Sequence, residues 1–174
     1  MRLGLAVALL TAPTSASAQP SEEAVKAAFL PKFARYVQWP AAAMPPARQP
    51  LILCVIGRDP FGRLLDRAAA SETIGGRGVA VRRLASTDGA AACHFAFVQG
   101  ATGGDTSRYL LALRGAPILT VTDARAGPQR GMIHFTVSGG RVRFFIDQAA
   151  AAQRGLTISS RLLALALGVR QSRP

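Results

Sequence analysis

The chain contains few acidic residues, few aromatic rings, two histidines and two cysteines. Its 174 residues carry 9 Asp and Glu against 21 Lys and Arg, and aromatic residues make up 6%. A sheet that binds nucleic acid displays aromatic side chains between basic ones, whereas most aromatics here fall at positions that periodicity assigns to a core. We therefore expect no nucleic-acid partner. With 49% hydrophobic residues, the chain is predicted to form one globular domain.

Long apolar runs are also missing, since no stretch reaches the roughly 20 residues that a transmembrane helix needs. The short run Leu3–Leu10 follows Arg2 and precedes small residues that end at Ala18, which is typical of a secretory signal peptide. We predict that residues 1–18 are cleaved and that residues 19–174 form a single exported α/β domain. Loss of Arg2 leaves 20 cations and 9 anions, a net charge of +11.

The charge balance leaves two interpretations open. Of the 21 cations, 19 are Arg. Such an excess suits an acidic partner or an anionic envelope surface, but it is also a compositional habit of Ala-, Gly- and Arg-rich proteomes. The same choice applies to the arginines on predicted strands, which form either a recognition patch or ordinary solvated faces: Arg82, Arg83, Arg141 and Arg143.

Export determines how the two cysteines are interpreted. Cys54 and Cys93 lie 39 residues apart, each within an apolar run that is typical of a strand. An oxidising compartment favours a disulfide, and we predict one between adjacent central strands. Two buried free thiols are the alternative. A metal site is disfavoured because there are only two thiols and His94 is the only nearby imidazole.

The first predicted helix covers Ser21–Trp39, with Ser21 as its N-cap and Pro40 after its end. Pro31 predicts a kink or break near Ala27–Pro31. The apolar stripe consists of Val25, Ala28, Phe29, Phe33, Tyr36 and Val37. This stripe is more aromatic than one small domain usually needs, so we expect part of it to form a homodimer contact. The alternative is that it simply covers the sheet.

After a proline-rich linker at residues 41–50, strands alternate with helices. The expected strands are Leu51–Ile56, Val79–Leu84, Ala92–Val98 and Pro117–Thr122. The helix after the first strand is expected to have Asp59 as its N-cap and Pro60 as its first residue, and a second helix covers Gly104–Arg114. This alternation predicts a mostly parallel central sheet with helices on both faces, a Rossmann-like three-layer sandwich.

An antiparallel C-terminal hairpin is expected next. Met132–Ser138 and Arg141–Ile146 are alternating runs joined by the two-residue loop Gly139-Gly140. The register places three pairs on one face: Val137 with Val142, Phe135 with Phe144, and Ile133 with Ile146. Asp147 is then predicted to cap a short helix that ends at Gly155, and a last helix covers Ser159–Val169.

The common catalytic signatures are missing from the sequence. The segment Gly75–Gly78 precedes a strand, whereas a phosphate-binding loop precedes a helix, so we predict a turn. His94 and His134 are interpreted as structural, hydrogen-bonded histidines. Asp123 is the one reservation, because it ends a predicted parallel strand, where α/β sheets place ligand-binding residues.

Four groups of residues form a recognisable pattern: Ala24–Leu30 with Phe33 and Trp39-Pro40, Leu53–Gly62, Gly131–Ile133 and Leu156–Leu163. Together they resemble the YfiR/HmsC-like periplasmic proteins. Cys54 and Cys93 match the family's strand cysteines in context. The chain departs from the family at Pro31, where members often carry an aromatic residue, and it lacks the second cysteine pair that some members have.

The resemblance implies a small α/β protein without catalytic activity or cofactor. Such a protein binds the periplasmic domain of an inner-membrane diguanylate cyclase and represses it, and its release raises cyclic di-GMP and favours biofilm formation. Arg58, Phe61 and Arg161 are the candidate partner-binding residues, because a loop or a helix start would present them. Two alternatives are a periplasmic small-ligand binding domain and an enzyme built around Asp123, and a cavity lined by convergent polar groups would favour either one.

Overall fold

The computed structural model describes residues 19–171, and the predicted signal peptide lies outside the described residues. The helices are α1 (Glu22–Phe33), α2 (Arg63–Ala70), α3 (Gly103–Ala112), α4 (Gln148–Ala152) and α5 (Ser160–Leu163). The strands are β1 (Val37–Gln38), β2 (Leu51–Gly57), β3 (Thr73–Ile74), β4 (Arg77–Leu84), β5 (Phe95–Gln99), β6 (Leu119–Asp123), β7 (Ile133–Ser138), β8 (Arg141–Asp147), β9 (Thr157–Ile158) and β10 (Gly168–Arg170).

Eight of these strands form one sheet in the order β10-β8-β7-β6-β5-β2-β4-β3. The five adjacent strands β7, β6, β5, β2 and β4 run parallel to one another. In contrast, β3 pairs with β4, and β8 with β7, in antiparallel fashion. The protein is therefore a mixed α/β protein, and the prediction of a mostly parallel sheet is corrected to a mixed sheet. The Rossmann-like sandwich is not confirmed.

Two-residue glycine turns cause the antiparallel pairs. Gly75-Gly76 and Gly139-Gly140 all have positive φ angles, from 56° to 78°, and so short a connection can join only antiparallel neighbours. The predicted turn is confirmed at Gly75-Gly76, whereas Gly78 lies within β4 and pairs with Thr73. The three predicted side-chain pairs of the hairpin are confirmed.

The end of α1 differs from its prediction. The helix is not broken near Pro31; it continues to Phe33 and gives way to a 3-10 turn at Ala34–Tyr36 and then to β1. Pro31 lies in the last turn of the helix, where its missing N–H removes one hydrogen bond from a ladder that is about to end. The chain then leaves the helix because Val37 pairs with Ile158 of β9 in a separate two-stranded sheet.

The start of α2 also needs correction. Asp59 does not cap the helix; its carboxylate accepts hydrogen bonds from the N–H groups of Phe61, at 2.8 Å, and Gly62, at 3.1 Å. This is an Asx turn, which competes with helix at the same residues. The helix therefore begins at Arg63, after Gly62 with a φ of 47°.

The predicted helix over Ser159–Val169 is wrong. Only α5 is helical there, and Gly168–Arg170 forms β10, which runs parallel to β8. Leu167 N–H donates to the Phe144 carbonyl at 2.8 Å. The unpaired backbone groups at the edge of β8 thus recruit a segment that its leucine-rich composition alone would make helical.

The two sheet faces carry different cores. On one face, α1 and α2 pack on the larger cluster, in which the ring centroids of Phe33 lie 5.5 Å from Phe135 and 5.2 Å from Phe144. On the other face, α3 packs on a smaller cluster around Cys54 and Val98. The aromatic stripe of α1 therefore covers the sheet, so the argument for self-association through it loses its basis, and a homodimer stays a prediction.

Candidate functional site

The three predicted partner-binding residues lie in different surroundings. Arg58 is exposed at the carboxyl end of β2, and Arg161 is exposed in α5. Phe61 is 3% exposed and packs edge-to-face on Phe97, with ring centroids 4.7 Å apart. Its side chain therefore fixes the loop after β2 from within the core, and its contribution to a partner surface would be indirect.

The structure does not bring Arg58 and Arg161 into one compact site. The residue after Arg161, Leu162, shares a groove with Phe144 of β8, whereas Arg58 follows β2, which lies four strands away from β8 in the sheet. Neighbouring strands are about 4.8 Å apart, so β2 and β8 are separated by roughly 19 Å across the sheet. A partner that touches both would need an interface of ordinary protein–protein size.

Asp123 lies at the carboxyl end of β6, as predicted, but its carboxylate is engaged within the protein. Lys26 Nζ of α1 forms ion pairs with Asp123 and with Glu22, and the backbone N–H of Arg125 donates to Asp123 at 3.0 Å. Lys26 is 2% exposed and Asp123 is 5% exposed. A buried ion pair holds its geometry only where further hydrogen bonds satisfy both charges, and these contacts supply them. The cluster joins α1 to the sheet.

Sequence reasoning missed Lys26 as the partner of Asp123. The burial of Lys26 could have been inferred from its helical spacing to Leu30 and Phe33, because this spacing places the lysine on the same side of α1 as two core residues. The partner itself, 97 residues away, leaves no local pattern.

The predicted disulfide is present between Cys54 of β2 and Cys93, which lies two residues before β5. His94 follows it and accepts a hydrogen bond on Nδ1 from the Ile52 N–H at 3.0 Å, while its carbonyl accepts from Trp39 Nε1 at 2.9 Å. Burial, with a smaller contribution from the positive charge of Arg77, lowers the pKa of His94. The neutral imidazole thus has a structural role, as predicted.

His134 is buried in β7 and lies 2.9 Å from Thr122 Oγ1. The same hydroxyl accepts from the Gly131 N–H at 2.8 Å. Burial first, and then the positive charge of Arg130, lower the pKa of His134. This histidine is hydrogen-bonded and neutral near pH 7, which agrees with the structural interpretation.

Of the four strand arginines, Arg83 has a structural role. Its guanidinium pairs with Asp59 at 2.7 Å and with Asp66 at 2.9 Å. These hydrogen bonds, led by that from Asp66, raise the pKa of Arg83. Arg83 therefore ties the loop after β2 to α2. Arg82, Arg141 and Arg143 are exposed.

A cleft on the α3 side of the sheet was not predicted. It has a volume of about 670 Å³ and lies between α3, α4 and the segment before β7. We call it the arginine cleft, and its polar lining includes Arg114, Arg130, Arg154, Arg170, Gln129 and Asp147. A second cavity of about 400 Å³ continues it past Arg130 to His134 and Phe145. The arginines come from four separate segments of the chain, so no single sequence motif predicts the cleft.

Neither a metal centre nor a membrane span occurs in residues 19–171. No group of three or more His, Cys, Asp or Glu side chains in this range is placed to hold a metal ion. No helix in the same range is both long and apolar enough to cross a bilayer.

Comparison with known proteins identifies a family. The profile of the YfiR/HmsC-like family matches residues 23–167, which are 145 of the 174 residues. Comparison with curated proteins finds no match. The family indicates a periplasmic regulator of cyclic di-GMP signalling, and its members are regulatory rather than catalytic. Because the match spans most of the chain, from α1 to the turn before β10, the protein belongs to the YfiR/HmsC-like family.

Proposed function

We propose that this protein represses an inner-membrane diguanylate cyclase, or a related sensor enzyme, by binding its periplasmic domain. The observation that carries this proposal is the family match over residues 23–167. Release of the protein from the cyclase raises cyclic di-GMP and promotes biofilm formation. The signal peptide at residues 1–18 directs the chain to the compartment where that domain lies.

The charge of the protein supports an electrostatically steered encounter. With 21 basic and 9 acidic residues, the surface attracts an acidic partner over distances of about a Debye length, roughly 8 Å at physiological salt. Steering of this kind mainly raises the association rate and makes it sensitive to ionic strength.

Arg58 and Arg161 are the proposed contact residues because both are exposed and both follow elements that the core holds in place. The Arg58 N–H donates to the Gln99 carbonyl at 2.7 Å, which fixes the backbone of this loop. Phe61 supports the same loop from below. Exposed guanidinium groups on a fixed backbone lose little conformational freedom when they meet a carboxylate.

Deletion of the gene tests the proposal in the cell. The deletion strain should contain more cyclic di-GMP and attach more strongly to surfaces, and the full-length gene should restore both. A form that lacks residues 1–18 should stay in the cytoplasm and fail to restore them. Unchanged cyclic di-GMP in the deletion strain would refute the repressor function.

Charge reversal tests the contact residues. Arg58→Glu and Arg161→Glu should each weaken repression in the complemented strain, whereas the matched control Arg141→Glu, at the exposed start of β8, should repress normally. Periplasmic levels of all three variants are compared on immunoblots. Full repression by both Arg58→Glu and Arg161→Glu would show that the interface lies elsewhere on the protein. The conclusion drawn from the gene deletion would still stand.

The second candidate function, small-ligand binding, is favoured by the arginine cleft. Its convergent polar groups are of the kind that position small molecules in preformed sites. The enzyme alternative built on Asp123 has less support, because Lys26 occupies the carboxylate that would have to react.

A further inference from the structure

The arginine cleft carries positive charge that its own lining does not neutralise. Within residues 19–171, four guanidinium groups line the cleft, from Arg114, Arg130, Arg154 and Arg170, and the one carboxylate in that lining is that of Asp147. This carboxylate accepts from the Ala150 N–H at 2.9 Å and pairs with Arg170 at 3.2 Å. Its charge is therefore shared between Arg170 and the first turn of α4.

Arg114 and Arg154 both line this cleft. Burial first, and then the positive charge of Arg114, lower the pKa of Arg154. Two like charges beside one cleft destabilise the folded chain unless an anion lies near them. Arg114 follows α3 and Arg154 follows α4, and the carboxyl end of a helix favours a nearby positive charge. This effect explains part of why both arginines are tolerated beside the cleft.

Two buried polar atoms in the cleft lining are not explained by helix ends. Among the described residues, neither Arg154 Nη1 nor Gln129 Oε1 has a hydrogen-bond partner. Most buried polar side-chain atoms in folded proteins have one. Both atoms are enclosed by the protein, and Gln129 Oε1 lies against Gly103 and Gly127, so the cleft wall is polar but a ligand would reach only the exposed parts of these two side chains.

We propose that the arginine cleft binds a small organic anion that carries a phosphate or carboxylate group. Guanidinium groups bind such anions through paired, charge-assisted N–H donors. A volume of about 670 Å³ suits a metabolite-sized ligand rather than a folded partner. Arg114 and Arg154 bind the anionic group of the ligand. The site lies apart from Arg58 and Arg161 and does not depend on the proposed repression.

Calorimetric titration of the purified mature protein tests the proposal. The probes are citrate, glycerol 3-phosphate and inorganic phosphate, each titrated at constant ionic strength against sodium chloride. At least one organic probe should bind saturably with one site per chain. Inorganic phosphate should bind more weakly, because it cannot fill the cleft from the arginines to Gln129.

Matched variants locate the site. Arg154→Gln should weaken binding about tenfold or more, the loss typical of one charged hydrogen-bond donor. Arg114→Gln, at an exposed position, should do the same and serves if Arg154→Gln folds poorly. The control Arg141→Gln removes one charge outside the cleft and should bind like the unaltered protein, with circular dichroism confirming the fold of all three.

Three outcomes would overturn the proposal. The first is an absence of saturable binding by every probe. The second is an equal loss of affinity in Arg141→Gln and Arg114→Gln, which would indicate a general charge effect. The third is binding of a poly-glutamate peptide but of no small anion, which would assign the cleft to an acidic protein segment.

Discussion

The two faces of the central sheet are built from alternate residues of the same strands, yet they differ in chemistry. Along β6 and β7, Leu119, Val121 and Ile133 face α1 and α2, whereas Thr120, Thr122 and His134 face the other way. The first face is filled by phenylalanine rings, and the second holds a hydrogen-bonded polar cluster beside an open cleft. Stability is thus concentrated on one face, and the chemistry suited to ligand binding on the other.

The largest expected effect comes from truncating the apolar face. Phe33→Ala removes a side chain that is 1% exposed and packs against three other rings, so it should lower the free energy of unfolding by about 3 to 5 kcal/mol. Thr122→Val, on the opposite face, leaves the Gly131 N–H unpaired and should cost about 1 to 3 kcal/mol. Urea unfolding of both variants compares the two faces directly. Equal losses of unfolding free energy would contradict the conclusion that stability is concentrated on the apolar face.

The ion pair of Lys26 and Asp123 is the polar exception on the α1 face. Asp123→Asn leaves a buried lysine with Glu22 alone and should cost about 3 kcal/mol, the lower end for a broken buried pair. The double variant Lys26→Met/Asp123→Leu should recover most of this loss, because well-packed apolar side chains replace a buried pair at little cost. A double variant less stable than Asp123→Asn would show that the pair stabilises the fold in its own right.

The disulfide strengthens the α3 face, where the apolar cluster is small. Replacing Cys54 and Cys93 together by Ala should lower the free energy of unfolding by about 2 to 4 kcal/mol. A thiol assay on the unfolded, non-reduced protein should find no free thiol, and reductant should lower the Tm of the unaltered protein but leave that of the double variant unchanged.

The smallest expected effect is a pH dependence that comes from the polar face. Burial lowers the pKa of His134 below its ordinary value of 6.5, so the unfolded chain binds more protons than the folded one as the pH falls past that value. Stability should therefore be complete above the ordinary pKa and decline on acidification. His134→Asn keeps a polar atom near Thr122 and should flatten the decline between pH 7 and pH 5 in urea titrations. An unchanged slope would assign the decline to other groups, such as His94, whose pKa is also lowered.

Local patterns were sufficient for the elements whose pairing is itself local. The hairpin could be predicted with its register because two glycines join two alternating runs. The disulfide could be predicted because the chain has two cysteines in strand-like runs and a predicted signal peptide, which favours their oxidation. The helix after Ser159 could not be predicted correctly, because β10 forms only where the edge of β8, distant in sequence, accepts it.

The candidate sites were less predictable than the fold. Lys26 and Asp123 are 97 residues apart, and a lysine within a helix ordinarily indicates a solvated face. The arginine cleft assembles side chains from four segments, each of which looks like a helix end or a loop. Phe61 was predicted to be on the surface because it lies in a loop, but its side chain points to the core and is buried. The sequence of a loop does not show which of its side chains point inward.

The Cys54–Cys93 bond has a consequence for proteolysis. It closes a covalent ring that contains α2, β3 and β4, with the exposed Gly75-Gly76 turn at its tip. A protease that cuts this turn opens the ring but releases no fragment, so the nicked molecule migrates as a single chain on a gel until a thiol reductant separates the two pieces. A single cut at this turn therefore leaves both pieces of the molecule covalently joined.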